Sequence, residues 1–85
     1  MRITFEEGGF NDYVYWQKTD RKIVDKINSL LRSIARNGAM QGEDKPEKLK
    51  HRQGVYSRRI DLINRLIYKY SEDTIVVVSC KGHYN

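Results

Sequence analysis

Residues 55–81, VYSRRIDLINRLIYKYSEDTIVVVSCK, decide how this chain folds. Three stretches rich in β-branched and aromatic residues, 55–60, 65–70 and 74–81, are separated only by Asp61–Asn64 and Ser71–Asp73. Connections this short suit hairpins, so the three read as sequential antiparallel strands. The segment Thr74–Cys80, TIVVVSC, is apolar on both faces and is expected inside the sheet rather than at its edge.

Upstream, Ile23, Val24, Ile27, Leu30, Leu31, Ile34 and Ala35 repeat every three to four residues, which predicts an amphipathic helix. Asp20 is its expected N-cap and Gly38 its stop. Before it, Phe10, Tyr13, Val14 and Gln17 suggest a short aromatic helix over residues 10–17. Its rings read as core, with Tyr15 or Trp16 open to a protein contact. Ile3 and Phe5 alternate in a short strand over residues 2–6, which Gly8-Gly9 is expected to break. Residues 37–45, NGAMQGEDK, lack periodicity and form a loop closed by Pro46, after which 47–49 read as a short strand with Leu49 inward. The order is strand, two helices, then a run of strands. It predicts one α+β domain, residues 1–85, with helices on one face of a mainly antiparallel sheet.

The net charge is +5 and the sequence pI about 9.5, so a polyanionic partner is expected, either nucleic acid or an acidic protein. No apolar run approaches the ~20 residues that span a bilayer, so no membrane association is expected. The first residues, MRITFEEGGF, show no secretory pattern, and Cys80 is the only cysteine. Both point to a reducing cytoplasm, and neither disulfide nor multi-cysteine metal chemistry is available.

The positive charge is concentrated in residues 45–70, KPEKLKHRQGVYSRRIDLINRLIYKY, with eight Lys and Arg residues against two acids. Glu47 sits inside the densest run, where surrounding cations favour its ionised form. It suits a general base beside groups that grip a phosphodiester. Alternation sets Val55, Ser57 and Arg59 on one strand face and Arg65, Ile67 and Lys69 on one face of the next. A regular last strand would align Ser79, Lys81 and His83. Were these faces shared, Glu47, Arg59, Arg65 and His83 would form a metal-free set for cleaving RNA through its own 2′-hydroxyl: base, cations for the phosphorane, and acid for the leaving oxygen. Each residue also has a plain alternative. The arginines could be solvated or salt-bridged, His83 a terminal surface imidazole, His51 a second acid or part of the basic run, and Tyr84 a packing or base-stacking ring. Two distant histidines and one cysteine lack metal-ligand spacing, and no cofactor is expected.

Taken together in order, DYVYWQKTDRKIVDKINSLLRSIARNG (12–38), KPEKLKH (45–51), YSRRI (56–60), NRLIY (64–68) and the terminal His83-Tyr84 resemble the YoeB toxins of the RelE superfamily. The resemblance implies a RelE-like, microbial-ribonuclease-like fold and an endoribonuclease, an mRNA interferase, that cleaves messenger RNA in the ribosomal A site. It puts Glu47, Arg65, His83 and Tyr84 in catalytic positions and Lys50 and Arg59 in RNA contact, to which the basic run adds Lys45 and His51 as candidate RNA contacts. It further implies a YefM-type acidic antitoxin as partner, operator DNA bound only through the toxin–antitoxin complex, and a homodimer as one assembly. The alternative is a non-catalytic basic module that binds RNA or an acidic protein and blocks translation by occupancy. The chain departs from the family pattern at Asp44, where glycine is usual, at Ile63-Asn64, where Glu-His is usual, at Gly8-Gly9-Phe10, and in the added Asn85.

Overall fold

The computed structural model describes residues 1–42, 44 and 46–82. In chain order the elements are β1 (Arg2–Phe5), α1 (Glu7–Thr19), α2 (Arg21–Asn37), β2 (Glu47–Lys48), β3 (Val55–Arg59), β4 (Arg65–Tyr70) and β5 (Thr74–Ser79). The strands form one sheet in the order β1-β5-β4-β3-β2. Neighbours from β2 to β5 are antiparallel, as the short connections require, and β5 is an interior strand. β1 returns through both helices to lie parallel to β5 at the other edge, with Arg2 opposite Thr74 and Phe5 opposite Val77.

α2 follows its sequence signals closely. The Asp20 carboxylate accepts from the backbone N–H of Lys22 at 3.1 Å and of Ile23 at 3.4 Å, satisfying two otherwise orphaned donors. Gly38 takes a φ of 100° at the other end, a conformation that side chains resist. Val24, Ile27, Leu30, Leu31 and Ile34 are buried. The core that α2 shares with the sheet includes Leu66 and Tyr68 from β4 and Ile75 and Val77 from β5. Each large aliphatic side chain buried here contributes roughly 1.5–3 kcal/mol.

α1 corrects the reading of Gly8-Gly9 as a break. The helix starts at Glu7 and carries both glycines in its first turn. Glycine is required at the second of them by proximity: a Cβ on Gly9 would lie 2.4 Å from the Val77 carbonyl oxygen. Trp16 Nε1 donates to the Cys80 carbonyl at 2.8 Å, and the Asp12 carboxylate accepts from Cys80 N at 3.0 Å, so α1 is fastened along β5.

Arg58, one of the eight cations in the basic stretch, faces the helices and is fully buried. Its Nε donates to Tyr68 Oη at 2.9 Å, and its Nη2 donates to the carbonyls of Gly38, Ala39 and Gln41 at 3.1, 3.1 and 2.6 Å. Arg58 therefore holds the loop after α2 and presents no charge to a ligand. Asp44 pairs with Lys26 of α2 at a φ of 69°, a left-handed conformation that aspartate tolerates and glycine favours.

Candidate active site

The sheet's second face carries the convergent charges. Cross-strand register aligns Glu47 of β2 with Ser57 of β3, Ser57 with Ile67 of β4, and Ile67 with Ser79 of β5. In the next row Arg59 lies directly opposite Arg65. Alternation turns these residues away from the helices, because Arg58, Leu66, Tyr68 and Val77 occupy the other face.

Arg65 lies over this row. Its Nε donates to Ser57 Oγ at 2.6 Å, and its Nη2 stands 3.7 Å from Glu47 Oε1. That separation gives a Coulombic pair but not a hydrogen bond. Nη2 is buried and, among the described residues, has no hydrogen-bond partner. A buried N–H left without an acceptor costs free energy that an arriving anion would recover. The two partners differ in access, since the Arg65 side chain is 13% exposed and that of Glu47 62%. The guanidinium is thus recessed and oriented, while the carboxylate stands at the sheet edge where a substrate can reach it. Arg59 is exposed opposite Arg65. Like charges directly across a strand pair repel, and a bound phosphate between them would offset that repulsion.

The structure therefore brings Glu47, Arg65 and Arg59 onto one face. Lys50 and His51 are exposed in the turn between β2 and β3, away from the regular register. Lys45, His83 and Tyr84 lie outside the described residues. The expectation of a regular last strand aligning Ser79 with Lys81 does not hold. A register shift opposite Ile67 and Tyr68 interrupts β5, which ends at Ser79. Lys81 Nζ instead sits 4.5 Å from the centre of the Tyr15 ring, where the ring's negative face attracts it. Gly82 returns to the site: its carbonyl accepts from Arg65 N at 3.1 Å.

Ser57 is the residue whose role the sequence left unread. Alternation had set it on the face of Arg59, but only the β3–β4 register brings its hydroxyl to the Arg65 guanidinium. Among the described residues, no group of three or more His, Cys, Asp or Glu side chains could hold a metal ion, and no helix is long and apolar enough to cross a membrane. The sole thiol, Cys80, is buried in the core. Desolvation, with the Asp12 charge adding to it, pushes its pKa up to about 12.

The family of YoeB-like toxins of bacterial type II toxin–antitoxin systems matches residues 5–84. The YoeB toxin of Streptomyces coelicolor is 47% identical over 85 residues, covering 99% of this chain and 100% of its own. The YoeB dimer from Staphylococcus aureus is 52% identical, with a TM-score of 0.94 over 99% of this chain and 98% of that one. In the heterotetrameric YoeB–YefM toxin–antitoxin complex from the same organism, the matching chain has 52% identity and a TM-score of 0.92, again over 99% and 98% of the two chains. Two helices on a mostly antiparallel five-stranded sheet make this a RelE-like toxin fold. The chain belongs to the YoeB toxin family of type II toxin–antitoxin systems.

Proposed function

We propose that this toxin is a ribosome-dependent endoribonuclease that cuts messenger RNA in the ribosomal A site without a metal. The observation that carries the proposal is the recessed Arg65 Nη2, lacking a hydrogen-bond acceptor among the described residues and held 3.7 Å from the exposed Glu47 carboxylate. In this reading the scissile phosphate supplies the missing acceptor. Glu47 removes the 2′-hydroxyl proton, and the freed oxygen attacks the adjacent phosphorus. Arg65 and Arg59 stabilise the charge that builds on the phosphorane oxygens. His83 gives its proton to the 5′-oxygen as the P–O5′ bond breaks, leaving a 2′,3′-cyclic phosphate and a free 5′-hydroxyl. Tyr84 completes the catalytic set, and Lys45, Lys50 and His51 contact the RNA backbone.

The partner follows from charge and kinship. A YefM-type antitoxin with an acidic segment would cover the Lys45–Arg65 face and neutralise the toxin in the cytoplasm. Operator DNA would be reached only through that complex.

The test uses ribosome–messenger complexes in which the ribose 5′ of the scissile phosphate is replaced by 2′-deoxyribose. Cleavage should stop while binding persists. Glu47→Gln should slow single-turnover cleavage by about 10²–10⁴-fold, the usual worth of a general base. Normal cutting of the deoxy substrate excludes this mechanism, and translation arrest without any cleavage would assign the chain to blocking by occupancy.

A further inference from the structure

The turn between β3 and β4 contains a second device. Asp61 Oδ1 accepts from Ile63 N at 2.9 Å and Asn64 N at 2.7 Å, and the backbone N–H groups of Ile60 and Asp61 donate to the Asn64 carbonyl at 2.9 and 3.2 Å. These bonds alone close the turn. Asn64 adds side-chain contacts that the turn does not need. Its Nδ2 donates to both Asp61 carboxylate oxygens at 3.2 Å, and its Oδ1 accepts from Gly82 N at 2.8 Å. An ionised carboxylate only accepts, so Asp61 fixes which way the Asn64 amide points and aims its oxygen at Gly82. Burial alone would raise the Asp61 pKa. Hydrogen bonds from the backbone N–H groups of Asn64 and Ile63, and from the Asn64 side chain, outweigh it and hold the carboxyl below its ordinary value. Asn64 is 8% exposed, whereas Leu62 and Ile63 at the turn's tip are 85% and 69% exposed. The turn is therefore anchored by its polar groups rather than by its apolar ones.

Gly82 is gripped from both sides, with Asn64 taking its N–H and Arg65 N donating to its carbonyl at 3.1 Å. We infer that Asn64, oriented by Asp61, is a positioning residue that docks the last strand's exit at Gly82 beside Arg65. Through the bond from Arg65 N to the Gly82 carbonyl it also steadies the backbone from which the Arg65 guanidinium reaches the site. The inference rests on the endoribonuclease reading for its consequence, but the docking itself is independent of it. Asn64 gives its amide N–H groups to Asp61, which leaves its Oδ1 as the acceptor for the Gly82 N–H.

The experiment compares Asn64→Ala, Asn64→Asp and the swapped pair Asp61→Asn with Asn64→Asp. It measures single-turnover cleavage on preformed ribosome–messenger complexes, messenger binding, and Gly82 amide exchange by NMR in the free protein. Asn64→Ala should slow cleavage by about 10–100-fold, the scale of a misplaced catalytic group, with binding within about twofold. Its Gly82 amide should exchange at least about tenfold faster. Asn64→Asp sets two carboxylates against each other and should slow cleavage similarly. The swapped pair restores donor to acceptor in reverse, keeps an oxygen for Gly82, and should recover cleavage to within about threefold, a rescue that loss of packing would not give. Unchanged Gly82 exchange in Asn64→Ala overturns the docking. A swapped pair no faster than Asn64→Asp overturns the positioning role, and decides it even if Asn64→Ala does not fold. If the unmutated chain cuts no ribosome-bound messenger, the endoribonuclease reading falls and with it the catalytic consequence, while Gly82 exchange still decides the docking.

Discussion

Gly9→Ala sets two opposed effects against one another. Alanine is favoured over glycine by about 0.8–1 kcal/mol inside a helix, and by less in a first turn. Against that, the added Cβ would stand 2.4 Å from the Val77 carbonyl oxygen, 3.0 Å from its carbon and 3.2 Å from Val77 Cγ1. Ordinary contact requires α1 to retreat by about 1 Å, and overpacking of this kind costs about 1–3 kcal/mol. Retreat also stretches the bonds that fasten α1 along β5: Glu6 N to Val77 O at 2.9 Å, Trp16 Nε1 to Cys80 O at 2.8 Å and Asp12 to Cys80 N at 3.0 Å. The net expectation is a loss of about 1–2 kcal/mol, with Tm falling by about 4–8 °C per kcal/mol in a domain of this size. Gly8 supplies the control. A Cβ there meets only the Val78 carbonyl oxygen, at an ordinary 3.7 Å, so Gly8→Ala should hold or raise stability by up to about 1 kcal/mol. Thermal and urea unfolding followed by far-UV circular dichroism measures both. If Gly9→Ala is as stable as the parent, or if the two variants shift together, close helix–strand approach is not what selects glycine at position 9.

Arg58→Met should cost about 2–4 kcal/mol in urea unfolding, because its hydrogen-bond acceptors lose a charged donor while relief of guanidinium desolvation returns part of the loss; a change in the salt dependence of RNA binding by the folded variant would contradict its helix-facing position. Ser57→Ala removes the acceptor that aims Arg65 and should slow single-turnover cleavage by about tenfold, or ~1.4 kcal/mol, with messenger binding retained; an unchanged rate would show that the guanidinium needs no such guide. Cys80 carries a pH prediction. Its folded pKa is raised from 9.0 to about 12, so its contribution to stability is full below pH 9.0 and is lost as pH rises towards 12. Cys80→Ala should remove about 1.4 kcal/mol per pH unit of that alkaline decline, and equal slopes in parent and variant would count against a buried thiol.

The parts of the fold legible in sequence are those set by local pattern. The three strands of residues 55–81, the Asp20 cap, the α2 stripe and the Gly38 stop each follow from neighbouring residues and are all present. What was misread depends on contacts between distant elements. Gly8-Gly9 resembles a break because its reason, the Val77 carbonyl, lies some seventy residues away on another strand. β1 joins β5 in parallel because the two helices carry the chain across the sheet, a path that alternation does not reveal. At the site, alternation set Arg59 and Arg65 on candidate faces. Ser57 and Asn64 acquire roles only through the cross-strand register and through Gly82. Arg58 could not be told from Arg59 by composition; only the face on which the helices pack separates them.

That separation explains how a chain of 85 residues can carry both a core and a charged site on the same three strands. On β3, Arg58 turns to the helices and ties down the loop after α2, while Ser57 and Arg59 turn to the other face. On β4, Leu66 and Tyr68 fill the core, while Arg65 lies beside Glu47 on the opposite side. A slip of β3 by one residue in either direction would turn Arg58 away from the carbonyls that receive it and Ser57 away from Arg65, costing the core and the site together. Register is therefore under a double constraint. The Arg58–Tyr68 bond at 2.9 Å fixes it from the helix side, and the Arg65–Ser57 bond at 2.6 Å fixes it from the other. Both bonds join β3 to β4, so the pairing that builds the candidate site is also the pairing that the core requires.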